Sequence, residues 1–113
     1  MFMNQRASVQ NVTLGTAAAA LYTAPANTTA RLSSVTFTNQ DAVARTVSAY
    51  LVKSGSAPGN ENRVVAPYVL GPGEAWTCPH LNHNLNSGDS LHALADAAGM
   101  VSVYGSVIEM SKA

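Results

Sequence analysis

The feature that most constrains this chain is alternation. Apolar and polar residues trade places every second position over most of its length, the pattern of half-buried strands rather than helices. In "RLSSVTFTN", Val35 and Phe37 alternate with Ser34, Thr36 and Thr38. In "RTVSAYLVK", Val47, Ala49 and Leu51 share one face, and Ser48, Tyr50 and Val52 share the other. In "MVSVYGSVIEM", Val101, Val103 and Val107 oppose Ser102, Tyr104, Ser106 and Ile108. β-Branched residues and tyrosine dominate these stretches, and both fit a pleated surface. "NRVVAPYVL" and "EAWTC" give shorter strands, divided by the turn "GPGE". Pro67 cannot donate to a ladder, so it belongs at an edge or a bulge. "SVQNVTLGT" and "ALYTAP" supply two more strands near the start.

Turn clusters separate these runs: "PANTT", "NQDA", "SGSAPGN", "GPG", "NSGD" and "AAG". Short strands at such spacing predict an all-β fold. The expected architecture is one antiparallel β-sandwich domain, jelly-roll or Ig-like, with about eight strands. A chain of 113 residues suits a single domain. Residues 1–7 carry no core pattern and read as an N-terminal arm, leaving residues 8–113 for the sandwich. The longest break, Ser54–Asn62, reads as a mobile, contact-bearing loop.

Two stretches favour helix locally. "TAAAAL" is too short to hold a helix in water. "DSLHALADAAG" admits two readings. As a helix, Ser90 caps it and Gly99 stops it. As a strand, Leu91, Ala93 and Ala95 share a face. The flanking turn residues favour the strand.

The chemistry-bearing motifs are few. Gly88, Asp89, Ser90 and Leu91 spell the short signature of a family of serine esterases and lipases, and His92 follows. A serine nucleophile needs a base, a group to orient that base, and oxyanion donors. That family places its serine after the first strand of an α/β domain, with Asp and His late in the chain. Here the signature begins at residue 88, and the only later histidine is His92. The stretch therefore reads as a turn and a strand, with no catalytic residue and no enzyme activity expected. Cys78, His80, His83 and His92 are zinc-type ligands in one region. Cys-x-His-x-x-His is not a common structural spacing, so neither a metal nor a cofactor is expected.

Charge narrows the partners. Charged residues make up 11% of the chain and sum to zero, against about a quarter in ordinary domains. The six cations, Arg6, Arg31, Arg45, Lys53, Arg63 and Lys112, are scattered. They form no stripe for phosphates, so nucleic-acid binding is not expected. The start, "MFMNQRASVQ", lacks the apolar stretch of a secretory signal. No apolar run reaches the ~20 residues of a helical membrane span, so no membrane partner is expected. A surface of hydroxyls and amides is cheap to desolvate, which suits a protein buried in an interface. Trp76 and the tyrosines read as core or interface anchors, or as a sugar-stacking platform. Tyr50 and Tyr104 lie on the more polar faces of their strands and are expected to be partly exposed.

The order of "LYTAPANTTARLSSVTFTN", "TVSAYLV", "LGPGEAW", "LNSGDSLHALADAAG" and "VSVYGSVIEM" resembles the small β-sandwich structural proteins of tailed bacteriophages. The resemblance runs from about residue 20 to about residue 110. Some members decorate or cement capsids; others sit at the neck, tail or fibres. "GDSL" falls where that pattern has an L-x-x-GD-x-L turn before a strand. The resemblance implies a non-enzymatic virion protein, a capsid decoration or cement protein that clamps neighbouring capsid subunits. It implies a homo-oligomer, dimer or trimer, on the capsid surface, made in the bacterial host cytoplasm. Its partners would be the major capsid protein or other virion proteins. The interface residues expected are Met1, Phe2, Met3, Asn4, Gln5, Arg6, Tyr50, Trp76 and Tyr104. The alternative is a tail or fibre accessory that binds host surface glycan through Trp76, tyrosines and the Ser54–Asn62 loop.

Overall fold

The computed structural model describes residues 2–111, the side chains of Phe2, Arg6, Ser8 and Asn11 excepted. Nine strands follow in order: β1 (Phe2–Thr13), β2 (Ala19–Thr23), β3 (Thr28–Asn39), β4 (Arg45–Val52), β5 (Arg63–Leu70), β6 (Ala75–Thr77), β7 (Asn84–Leu85), β8 (Ser90–Ala95) and β9 (Val101–Ser111). Two single 3₁₀ turns, Asn60–Asn62 and Pro79–Leu81, interrupt the connections.

The pairings are nested. β1 pairs with β9, β2 with β8, β3 with β6 and β7, and β4 with β5, all antiparallel. The chain is one long ribbon doubled back on itself. β6 and β7 share a single strand position along β3, so nine strands fill eight places. The ribbon then wraps until β9 meets β3 and β8 meets β4. Two sheets result, β1-β9-β3-β6 (with β7 also on β3) and β2-β8-β4-β5. This is the order of a jelly roll, one of the two sandwich types the sequence allowed.

Alternation explains which face each strand buries. Ala30, Leu32, Val35 and Phe37 of β3 point inward with Val101, Val103 and Val107 of β9. Val47 and Ala49 of β4 meet them from the other sheet, with Leu91, Ala93 and Ala95 of β8. Leu32 and Val35 are three apart and would fall on opposite faces of a regular strand. The register of β3 against β9 shifts between Leu32 and Ser34, and this bulge returns Val35 to the core. Each fully buried Leu or Phe contributes about 1.5–3 kcal/mol by leaving water.

The ambiguous stretch is a strand. β8 is paired on both sides, to β2 and to β4. Its alanines and leucines prefer helix alone, but two ladders and a buried face outweigh that preference.

The expected arm is not free. From Phe2 onward it belongs to β1, and Phe2–Ala7 lies opposite Ser111–Ser106 of β9. It shows no core pattern because an edge strand at the end of a sandwich is open on both faces: Met3, Asn4 and Gln5 are exposed in succession. Met1 lies outside the described residues. The molecule measures 48 × 26 × 20 Å, and a 12-residue strand spans about 40 Å of the long axis.

Candidate functional site

The Gly88–Leu91 segment is a structural corner. Gly88 has φ of 88°, a left-handed conformation that favours glycine. A Cβ added there would stand 2.7 Å from the Ser54 hydroxyl. The Asn86–Asp89 turn closes with an Asp89 N–H donating to the Asn86 carbonyl at 2.9 Å. The Asp89 carboxylate accepts from the N–H of Asn86 at 3.1 Å and of Ser54 at 3.0 Å. Ser87 Oγ accepts from the Thr28 N–H and donates to the Thr28 carbonyl. Three loops are joined in this way: those after β2, after β4 and before β8. Leu91 then enters the core, fully buried.

Ser90 Oγ and His92 Nδ1 lie 3.2 Å apart on one face of β8. This is the first contact of a nucleophile–base pair. The His92 imidazole is held below its ordinary pKa by burial alone; no carboxylate contributes to the shift. Ser90 itself is buried. The pair therefore packs as two polar neighbours on a strand, and among the described residues no carboxylate orients the imidazole as a triad requires. Cys78 begins the Pro79–Leu81 turn and is buried, and desolvation pushes its thiol pKa up. His80 and His83 are exposed. Among the described residues no group of three or more His, Cys, Asp or Glu is placed to hold a metal.

The remaining features lie at the lateral sides. On one side β1 borders its sheet next to β2. On the other, β5 and β6 border theirs. Tyr68 of β5 stacks on Trp76 of β6, with centroids 3.8 Å apart and planes 10° from parallel. Trp76 also stacks on core Phe37 at 6.3 Å. The aromatic column closes this side of the sandwich. Exposed large apolar residues occur at both sides: Met3 at 70% on β1, and Val69 at 61% and Tyr68 at 39% on β5. Val43, in the loop beside β5, is 51% exposed.

The interface residues named from the sequence do not form one surface. Met3, Asn4 and Gln5 line the β1 edge, with the backbone of Phe2 and Arg6 beside them. Tyr50 is only 9% exposed, against the expectation from its polar strand face. It opposes His92 and Arg63, and the Asn60–Asn62 turn packs against its strand. Trp76 is half-buried beneath Tyr68, so it is an anchor within the fold rather than an open platform. Tyr104 is exposed beside a shallow depression lined by Val12, Thr13, Thr38, Ser102 and Val103. The Ser54–Asn62 loop is partly organised: the Asn62 side chain accepts from the Gly59 N–H and donates to the Ala57 carbonyl. The expected interface set left out Val43, Tyr68 and Val69, Tyr68 having entered only with the tyrosines as a group. The signal available was Pro67, which marks β5 as an edge and its neighbours as flanking open surface.

No protein-family model matches the chain, and no curated protein sequence matches it. Among solved structures the chain is similar to a subunit from Bacillus endospore appendages, described as a novel family of disulfide-linked pili. The TM-score is 0.60 at 15% identity, over 98% of this chain and 89% of that one. It is also similar to a chain of infectious bursal disease virus, Gx strain. There the TM-score is 0.51 at 14% identity, over 96% of this chain and 31% of the viral one. At such identities the likeness is one of fold.

Proposed function

We propose that this chain is a non-enzymatic structural subunit of a larger assembly, a capsid decoration or cement protein that clamps neighbouring capsid subunits of a virion. The observation that carries the reading is the pair of exposed apolar sites on opposite lateral sides, Met3 at β1 and Tyr68 with Val69 at β5. A clamp needs two separate contact surfaces on a rigid body. The jelly roll supplies the body, and few charges must be desolvated at either side. Lattice attachment multiplies weak contacts by avidity, so neither site need be large. The folds similar to this one come from a pilus and a virus, which supports assembly in general. The disulfide linkage of the pilus family has no parallel in the single, buried Cys78 of this chain. The test is to mix the protein with candidate phage particles and image them. Density at regular capsid positions is expected; an undecorated shell overturns the reading.

A second reading, glycan binding by a tail or fibre accessory, is favoured by Tyr104 and the hydroxyls of Thr13, Thr38 and Ser102 around it. A glycan array separates the two. Binding lost in Tyr104→Ala would establish the second, and a blank array removes it.

A further inference from the structure

Three of the four borders of this sandwich are protected. β2 has five residues, β6 three and β7 two. β5 carries Pro67 and an irregular register against β4. These are devices by which natural sheets refuse another strand. β1 differs: it is 12 residues long and has no proline. Phe2–Ala7 follows β9 without a register shift, and the irregularities begin only after Ala7. Its outer side therefore presents regular, alternate N–H and C=O groups, and among the described residues no strand lies beside them. Met3, Asn4 and Gln5 are exposed on both faces.

We propose that the β1 segment Phe2–Ala7 pairs antiparallel with the same segment of a second copy, about a two-fold axis normal to the sheet. This names a second copy as the partner at one lateral side, so that the clamp is the dimer with its two β5 sites facing neighbouring capsid subunits, and it rests on the assembly reading above. A two-fold contact joins like to like and closes, so the one unprotected edge is consumed by forming it. Centring the axis on Gln5 sets Met3 against Ala7 of the second copy and Asn4 against Arg6. The one cationic position of the segment then faces an amide rather than itself. The same axis keeps the two outer faces on one side. Met3 lies opposite Met110, and Gln5 opposite Ile108, with Met110 and Ile108 half-buried. The apolar strips of the two copies thus become one band across the joint. Five residues of the segment, Met3–Ala7, are paired about this axis and bury on the order of 400 Å² per copy, about half the usual ~800 Å² per partner. The dimer is accordingly weak in solution and strengthened on a lattice.

The test reads register as well as mass. Directly opposed residues have Cα atoms about 4.5–5.5 Å apart, within reach of a disulfide. Gln5→Cys should give a covalent dimer under mild oxidation, while Ser102→Cys, away from the edge, should not. Native Cys78 is buried and does not interfere. Light scattering should show concentration-dependent dimers that weaken at least tenfold in the Met3→Lys, Gln5→Lys double variant. A monomer at about 1 mM, where even weak pairs associate, overturns the proposal. So does a dimer that neither cross-links through residue 5 nor responds to the lysines. Particle binding is scored separately: a monomer that still decorates capsids sinks the dimer and leaves the capsid reading standing. A residue-5 dimer that binds no particle does the reverse.

Discussion

The two lateral sides of the sandwich solve the same problem in opposite ways. Both end in a strand with an open edge. On the β5 side the sequence spends a proline, an irregular register and a Tyr68–Trp76 stack to finish the sheet. On the β1 side it does none of this over Phe2–Ala7. The difference teaches that the edges are not equivalent surfaces. The β5 side is integral to the fold, and the β1 side is the one proposed to associate. Substitutions on the first should therefore destabilise the fold, and those on the second should only separate copies.

Asn39 gives the sharpest test. It is fully buried, and its amide donates toward the carbonyls of Val43 (2.9 Å), Leu70 (3.1 Å) and Gly71 (3.1 Å). Its oxygen accepts from the Asp41 N–H. One side chain fixes the β3–β4 loop to the end of β5. Asn39→Ala leaves these buried groups unsatisfied and should cost about 3 kcal/mol, read as a lower urea midpoint. Trp76→Ala removes the aromatic column and should cost about 2 kcal/mol. If either variant melts like the wild type, the β5 side is not the structural one.

On the β1 side the lysine double variant at Met3 and Gln5 should change stability by less than about 0.5 kcal/mol, as surface substitutions do. Its thermal melt, taken at a dilution where no dimer forms, should overlay the wild type. A large loss would mean that these residues support the fold, and the contrast between the sides would fail.

Much of this was legible in the sequence. Alternation gave the strands and the inward sets of β3, β4, β8 and β9, because a half-buried sheet writes its period directly into residue type. Pro67 marked an edge for a covalent reason. The corner at Gly88–Asp89 was legible as a turn, since glycine and aspartate have few other uses before a strand. What failed to show was long-range. Tyr50 occupies a polar-looking face, yet a turn from a later loop packs against its strand, and no local period encodes that cover. Phe2–Ala7 looked unstructured because an edge strand open on both faces has no alternation to display. The Tyr68–Trp76 stack joins two sheets, and only the wrap of the ribbon brings them together.

Acid offers the smallest effect and a last discriminator. Asp41 and Arg45 pair at 2.7 Å in the loop beside β5. The Arg45 side chain, with the Ala42 N–H, holds the Asp41 carboxyl below its usual pKa. A depressed folded pKa means the unfolded chain binds the proton more readily. The stabilisation is therefore complete above the unfolded value near 4 and lost as pH falls through the folded one. His92, also depressed, destabilises in the same direction but from about pH 6.5 downward. The two windows separate in a difference measurement. Asp41→Asn should melt below the wild type at pH 6, and the gap should close as pH falls below about 4. The pair is part-buried but reaches solvent, so the gap should be small and shrink in salt. The lysine variant at Met3 and Gln5 removes no carboxylate, so it should show no gap that closes with acid. A gap for Asp41→Asn that does not narrow with acid would show that its carboxylate charge is not what ties this loop to the β5 side.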